Sequence, residues 1–513
     1  MIPTIRKKSV FYNAMLLTIS ASVLQLMGFF YRIALVRLAG AKAMGIHQLV
    51  MGAYSVLSAL ALSGISMAVT KTVSEFSALG RRDLTPSVVS SAQTLFFMLF
   101  CLAGVPFLFG SYAIAEGILG DLDTRKALLL LLPCLFLTGF ENIYKSCFHG
   151  SKNVYPPIVS EISEQACRIF FVLSLLLLMR PADPADGAAL IVLGMVFSEI
   201  VSVTLLTIFY RRLILRRSPV PAMVQSPLLF RIAGEALPIA VAGVAGNLIG
   251  SATTVLIPRQ LIRFGMDSTA AMEAFGAVFG MTMPLLTLPS ALLFPLTTVL
   301  VPRISQGAAA GNQGDVRRKA GKAIQVTGLV VCPATALMLA VGKPICTLLY
   351  DHPMAGDQML FLAVSTLFAF YHSIFCCVLS GIGLQKRAAL SNVMVGVSQL
   401  GVVFWLLPRY GLAGFAFGTA VCDIVGALLT GMWVKDRIQL SPQWKNWMAT
   451  PFLSAALAGI LCRMGYLKAM AIGFSPAAAV LAAIAICGVS YLLGLRFQGI
   501  RFSQYLKKLL ERA

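Results

Sequence analysis

Residues 12–36 read YNAMLLTISASVLQLMGFFYRIALV and follow a basic start containing Arg6, Lys7 and Lys8. Basic residues ahead of an apolar run also open a secretory signal peptide, whose apolar core is only about 7–15 residues long. This run is longer, so it reads as an uncleaved first membrane helix. Windows of about twenty predominantly apolar residues, the length that spans a bilayer, recur to the end of the chain. They predict fourteen crossings, at 12–36, 45–70, 87–111, 127–148, 157–179, 187–210, 233–258, 274–301, 323–342, 358–381, 388–408, 412–434, 449–472 and 476–496. The eighth holds Pro284 and Pro289, with Pro295 and Pro302 at its end, and is expected to be kinked or broken.

Composition agrees with this reading. Of 513 residues, 58% are hydrophobic and 12% charged, against about a quarter charged in soluble domains. Apolar spans fill the chain from end to end, so no separate soluble domain is expected. The net charge of +21 raises nucleic-acid binding, which requires a continuous basic face with stacking aromatics; here the charges lie in short loops, and no nucleic-acid partner is expected. Eleven cysteines, mostly within apolar runs and without metal spacing, read as packing residues, Cys376 and Cys377 included. Histidine occurs only at 47, 149, 352 and 372, and neither a nucleophile elbow nor a phosphate-binding loop is found. The chain is therefore expected to be a transporter rather than an enzyme, with no metal site and no cofactor. Its energy would come from an H+ or Na+ gradient, the membrane potential or downstream consumption of cargo.

Cytoplasmic loops accumulate Lys and Arg. With both termini in the cytoplasm, and with Lys145 and Arg496 counted with the inner segments they adjoin and Arg463 and Lys468 with the outer, the inner side holds 28 of the 41 basic residues and the outer side 11, leaving Arg32 and Arg168 within helices. That bias predicts a multi-pass plasma (inner) membrane protein with both ends inside. The largest inner loop, near 211–232, separates six crossings from eight, which prompts a search for duplication. Gly187, Gly194, Ser198, Glu199, Ile200 and Val201 match Gly411, Gly418, Cys422, Asp423, Ile424 and Val425 at an offset of 224; Lys71, Ala78 and Asp83 match Arg303, Ala310 and Asp315 at 232. Arg32, Arg37 and Gly40 similarly parallel Arg259, Arg263 and Gly265. The expected architecture is all-α: an N-lobe at 1–210, a linker at 211–232, a C-lobe at 233–434, and two further helices with a basic tail at 435–513. An even number of crossings per repeat makes the two lobes parallel, with cargo expected between them.

A charge inside the bilayer is costly unless it meets a partner or water, so each is a functional candidate. Arg32 lies deep in the first crossing, and Arg37 at its outer end also suits an interface anchor. Arg259 and Arg263, four apart on one face, could complete a cationic chamber with them; arginine's planar fork suits a pyrophosphate, and two interface anchors are the equal alternative. Lys71 and Arg303 occupy matching inner ends, where positive-inside placement suffices and a gating role is an addition. Glu161, Glu164 and Arg168 share a face of the fifth crossing, as a self-paired structural element or as a protonation site. Glu141 and Lys145 read as a structural pair. Glu199 and Asp423, equivalent between lobes and without an obvious adjacent base, are expected to be protonated, paired across helices or an ion site.

The segments Gly45-Ile-His-Gln-Leu and Ser63-Gly-Ile-Ser-Met-Ala-Val-Thr-Lys71-Thr-Val-Ser-Glu75, with His149-Gly-Ser-Lys-Asn153-Val-Tyr-Pro156 and Ser160-Glu-Ile-Ser-Glu164-Gln-Ala-Cys-Arg168, resemble the polysaccharide-transporter branch of the MOP flippase superfamily, especially its stage V sporulation protein B group. That pattern has Gln-Gly where this chain has His149-Gly150. The resemblance, over nearly the whole chain, implies a MATE-like fold of two six-helix bundles plus two helices. It also implies alternating-access movement of a lipid-linked glycan such as the peptidoglycan precursor lipid II, in cell-wall or spore-cortex synthesis. In related flippases, arginines of the first and eighth helices line a cationic cavity; Arg32 and Arg37 fit the first group, whereas Arg259 and Arg263 precede the eighth crossing. Expected partners are the lipid-linked glycan, membrane lipids and cell-wall synthases. Two rivals are a multidrug cation antiporter, whose cavity should be acidic, and a non-transporting scaffold for cell-wall synthases, which has no need of intramembrane charges.

Overall fold

The structure is a computed structural model that describes residues 10–217, 226–352, 354–439 and 445–499. The basic start with Arg6, Lys7 and Lys8, the middle of the predicted linker and the basic tail lie outside the described residues. Among the described residues there is no β-strand.

Helix α1 runs Val10–Leu62 and contains Gly40 at φ 81°, ψ 170°, which divides it into two rods. These are the first two predicted crossings. The second is interrupted where Gly64 adopts φ 84°, and α2 (Ile65–Ala78) continues the apolar span beyond it. A Cβ at Gly64 would lie 2.2 Å from the Ala236 carbonyl oxygen, so only glycine fits this turn. The helices that follow are α3 (Thr85–Phe109), α4 (Arg125–Gly150), α5 (Tyr155–Met179), α6 (Pro184–Leu213) and α7 (Ser226–Arg263). Next come α8 (Ser268–Gly276), α9 (Ser290–Ala309), α10 (Gln313–Tyr350), α11 (Met359–Gly381), α12 (Gln385–Trp405), α13 (Leu407–Ile438), α14 (Thr450–Ala471) and α15 (Pro476–Phe497).

Local chemistry sets several helix starts. Asp183 accepts from the Ala185 amide ahead of α6 and Ser475 from the Ala478 amide ahead of α15, each with proline in the first turn. Between α8 and α9 a π-helical turn (Ala277–Thr282) and a short turn (Met283–Leu286) give way to a break before Ser290. The eighth crossing is thus broken, as its prolines required.

Twelve segments among the described residues are long and apolar enough to cross a membrane. The first, Ile19–Ala78, has 60 residues, about 90 Å of helix against a hydrocarbon core of about 30 Å. The break at Gly40 divides it into two crossings. With α7 in the seventh place, all fourteen predicted crossings have helical counterparts.

Residues divide into two compact units: 30–259 with 267–276, and the described residues of 1–29 with 260–266 and 277–513. In the first unit α4 packs against α2, α3, α5 and α6, α2 against α3, and α5 against α6. In the second, α11 packs against α9, α10, α12 and α13, α9 against α10, and α12 against α13. The two sets of pairings correspond one to one, which is the internal repeat in three dimensions. Helices α14 and α15 pack on each other and on α10, with the Tyr491 hydroxyl donating to the Leu329 carbonyl at 3.2 Å.

Candidate functional site

Three helices of the first unit gather six charged side chains: Glu141 and Lys145 of α4, Glu161, Glu164 and Arg168 of α5, and Glu199 of α6. The i, i+4 spacing of Glu141 with Lys145 and of Glu164 with Arg168 aligns each pair along its helix. Lys145 Nζ lies 2.8 Å from Glu141, 3.4 Å from Glu161 and 3.8 Å from Glu164. Arg168 pairs with Glu164, reaches Glu199 at 3.6 Å and donates from Nε to Ser198 Oγ at 3.4 Å. Ser202 donates to Glu141, and Ser160 and Ser202 share a hydroxyl contact of 2.5 Å. One carboxylate oxygen each of Glu141, Glu164 and Glu199 lies within 4.8 Å of the other two. Glu141 and Glu199 are 3% and 4% exposed.

This geometry revises one reading of the sequence: Glu141–Lys145 is part of the cluster rather than a separate structural pair. For Glu199 it shows one of the expected alternatives, pairing across helices, with Arg168 of the adjacent helix as the base. Burying ion pairs is a weak source of stability, since well-packed apolar residues of similar volume often serve as well or better. A cluster of this size on helices apolar and long enough to cross a membrane is a functional candidate.

In the second unit Asp423, 7% exposed, is paired across helices with neutral donors. Ser365 donates to Oδ2 at 2.5 Å and Gln399 to Oδ1 at 3.2 Å. Ser365 stands 224 residues after Glu141, the same offset that relates Asp423 to Glu199. Both units thus hold a polar couple at the same register, α4 with α6 and α11 with α13. Ser202, Ser365 and Gln399 escaped the sequence reading, and Ser160 and Ser198 entered it only as parts of a motif and of the repeat; applying the 224-residue offset to Glu141 would have found Ser365.

The arginines expected to form a cationic chamber have separate settings. Arg32 is half-buried, and with Arg168 it lies close enough to act electrostatically on the buried Tyr31 and His47. Arg37 is exposed. Arg259 donates to the carbonyls of Glu116 and Gly117 within the turn Ile114–Leu119, capping it. Arg263 is exposed. Lys71 contacts Glu235 at 3.1 Å and Glu75 at 3.9 Å, and Arg231 pairs with both acids, so four charges join α2 to α7. Arg303 is exposed, and its carbonyl accepts from Lys319 at 3.0 Å.

The profile of the lipid II flippase MurJ family matches residues 73–488. The chain belongs to that family. Stage V sporulation protein B of Bacillus subtilis (strain 168) is 24% identical over 461 residues, covering 88% of this chain and 89% of its own. Lipid II flippase MurJ of the same organism is 21% identical over 442 residues, covering 81% of this chain and 80% of its own. Among solved structures, lipid II flippase MurJ in an inward closed conformation aligns with a TM-score of 0.66 at 12% identity, covering 95% of this chain and 100% of that one. An inward-facing multidrug-resistance MATE transporter of the MOP superfamily gives 0.68 at 14%, covering 83% of this chain and 98% of that one. At these identities the two structures establish a shared fold. This member of the MurJ family is a multi-pass membrane flippase, not an enzyme.

Proposed function

We propose that this chain carries a lipid-linked glycan, of the peptidoglycan-precursor type named in its family, across the plasma membrane by alternating access. The observation that carries the reading is the family match over residues 73–488, together with a half-buried arginine, Arg32, inside the first membrane segment. A guanidinium there suits a pyrophosphate headgroup, which its fork can bind through two parallel charge-assisted hydrogen bonds. Arg37, Arg259 and Arg263 are the further headgroup candidates. The bias of basic residues supports a cytoplasmic location for both termini. Likeness to stage V sporulation protein B supports a role in spore-cortex synthesis, where cell-wall synthases would take up the product. Coupling to an H+ or Na+ gradient or to the membrane potential falls to the buried acids, with Lys71 and Arg303 as gating candidates.

The test is reconstitution in liposomes with fluorescent lipid II, following its accessibility from outside. Wild-type protein is expected to equilibrate the lipid between leaflets, and Arg32→Ala to slow this by at least about tenfold, the cost of roughly one charge-assisted hydrogen bond. Movement of a cationic dye in place of the lipid would favour the second reading, a cation antiporter. That reading draws on the excess of carboxylates in the cluster.

A further inference from the structure

In the second unit, ligand-bearing side chains of a different kind converge where α11 meets α12. His372 and Cys376 of α11 are four residues apart and share one helical face, the spacing at which the two histidines of an HExxH helix chelate zinc. His372 Nε2 lies 3.5 Å from Cys376 Sγ, and Asn392 Oδ1 of α12 lies 3.9 Å from the same sulfur. His372 and Cys376 are each 8% exposed, while Asn392 is exposed and opens the group to the protein surface.

Among the described residues the thiol has no close partner. Nε2 offers one proton or one lone pair, and Ser391 Oγ engages it at 2.7 Å. The sulfur, a weak donor and a weak acceptor, is left with contacts of 3.5, 3.9 and 4.0 Å, the last to the Ala388 carbonyl. Such separations suit ligands of one ion. Tetrahedral zinc takes imidazole nitrogen at about 2.0–2.1 Å, thiolate sulfur at about 2.3 Å and oxygen at about 2.0–2.2 Å, which sets nitrogen and oxygen roughly 3.5–3.7 Å from sulfur. A small rotation of the Asn392 amide closes the remaining gap.

We propose that His372, Cys376 and Asn392 bind one zinc ion and so tie α11 to α12. Ligand chemistry selects the metal. One imidazole, one thiolate and one amide oxygen form a borderline set, whereas Cu(I) favours sulfur and Mg2+ and Ca2+ favour oxygen throughout. Three protein ligands leave the fourth position to water. Charge agrees: the thiolate offsets one of the two charges on the ion, and a carboxylate stands nearby to oppose the other. Asp423 of α13 is one helical turn from Gly426, where an added Cβ would lie 3.8 Å from His372 Nε2. Entry is short, because Cys376 is five residues from the end of α11 at Gly381, about 8 Å of helix. Cys376, a packing residue by its sequence, thus becomes a ligand through its helical partner.

The proposal stands apart from the transport reading and is tested without cargo. Full-length protein purified in detergent and stripped with a chelator is titrated with Zn2+ or Co2+, with Mg2+ as control. The expected result is one zinc per chain retained through desalting, a melting temperature that rises with Zn2+ and not with Mg2+, and a thiolate-to-metal absorption band with Co2+. His372→Ala and Cys376→Ser should each weaken zinc binding by at least about tenfold, the usual scale for damage to a metal's coordination, and Cys376→Ser should remove the band. Cys377→Ser, at the next residue, should change neither. Asn392→Asp, at an exposed position, supplies a charged oxygen and should tighten binding, since ligand charge tunes affinity; it keeps the test decisive even if a core variant does not fold. Absence of stoichiometric zinc in monodisperse wild-type protein would overturn the proposal, as would binding that survives Cys376→Ser or ignores Asn392→Asp. Co2+ bound without the thiolate band would also overturn it, placing the ion on oxygen ligands elsewhere.

Discussion

Arg168 of α5 stands 3.6 Å from Glu199 of α6 while also pairing with Glu164 on its own helix. One guanidinium therefore stabilises two buried acids. Removing one partner of a buried pair leaves an uncompensated charge, at a cost of about 3–5 kcal/mol. Arg168→Met is expected to lower the melting temperature sharply, and adding Glu199→Gln should recover part of the loss. Thermal unfolding in detergent of the two single variants and the double variant checks this; additive losses would show that the two residues are not coupled.

Asp423 should behave differently. Its donors are a hydroxyl and a side-chain amide, and asparagine can satisfy both, accepting from Gln399 and donating to Ser365. Asp423→Asn is expected to shift stability by no more than about 1 kcal/mol, whereas Asp423→Leu strands two buried polar groups at about 1–3 kcal/mol each. Urea or thermal melts of both variants would separate these outcomes, and equal losses would contradict the pairing.

Gly64→Ala combines a left-handed backbone with a methyl group 2.2 Å from a carbonyl oxygen. The conformation alone costs about 1–2 kcal/mol for a residue with a Cβ, and the contact adds to it. Expression and monodispersity should fall well below those of Gly40→Ala. Gly40 shares the positive φ, but its added Cβ would meet nothing within 4 Å. Equal behaviour of the two variants would remove the steric argument.

Arg259 caps two carbonyls through one nitrogen. Its truncation to alanine should destabilise the turn Ile114–Leu119 by about 1.5–3 kcal/mol, the range for hydrogen bonds to a charged group. Hydrogen exchange at residues 114–120 is the measurement. Faster exchange there with unchanged lipid movement assigns Arg259 to the fold; slower lipid movement with unchanged exchange assigns it to the cargo.

Most of the fold was legible because bilayer-crossing length is a one-dimensional property: the runs at 87–111 and 476–496 reappear as Thr85–Phe109 and Pro476–Phe497. The broken eighth crossing could also be foreseen, since Pro284 and Pro289 act through local sterics. The interruption of the second crossing at Gly64 could not, because what demands glycine there is the backbone of a residue 172 positions away, Ala236. For the site, spacings of three and four identified the face of Glu161, Glu164 and Arg168. They could not reveal that Arg168 serves Glu199 or that Lys145 touches three acids, because those contacts cross between helices. Internal duplication was the one long-range signal in the sequence, and it marked Glu199 and Asp423 as counterparts.

Those counterparts have diverged in chemistry while keeping their register. Glu141 has Ser365 as its equivalent, so one half of an ancestral duplication keeps a dipole where the other keeps a charge. A scaffold built twice need not work twice. The duplicated register thus carries an ionic couple in one unit and a neutral-donor couple in the other, so the same substitution at equivalent positions has unequal consequences.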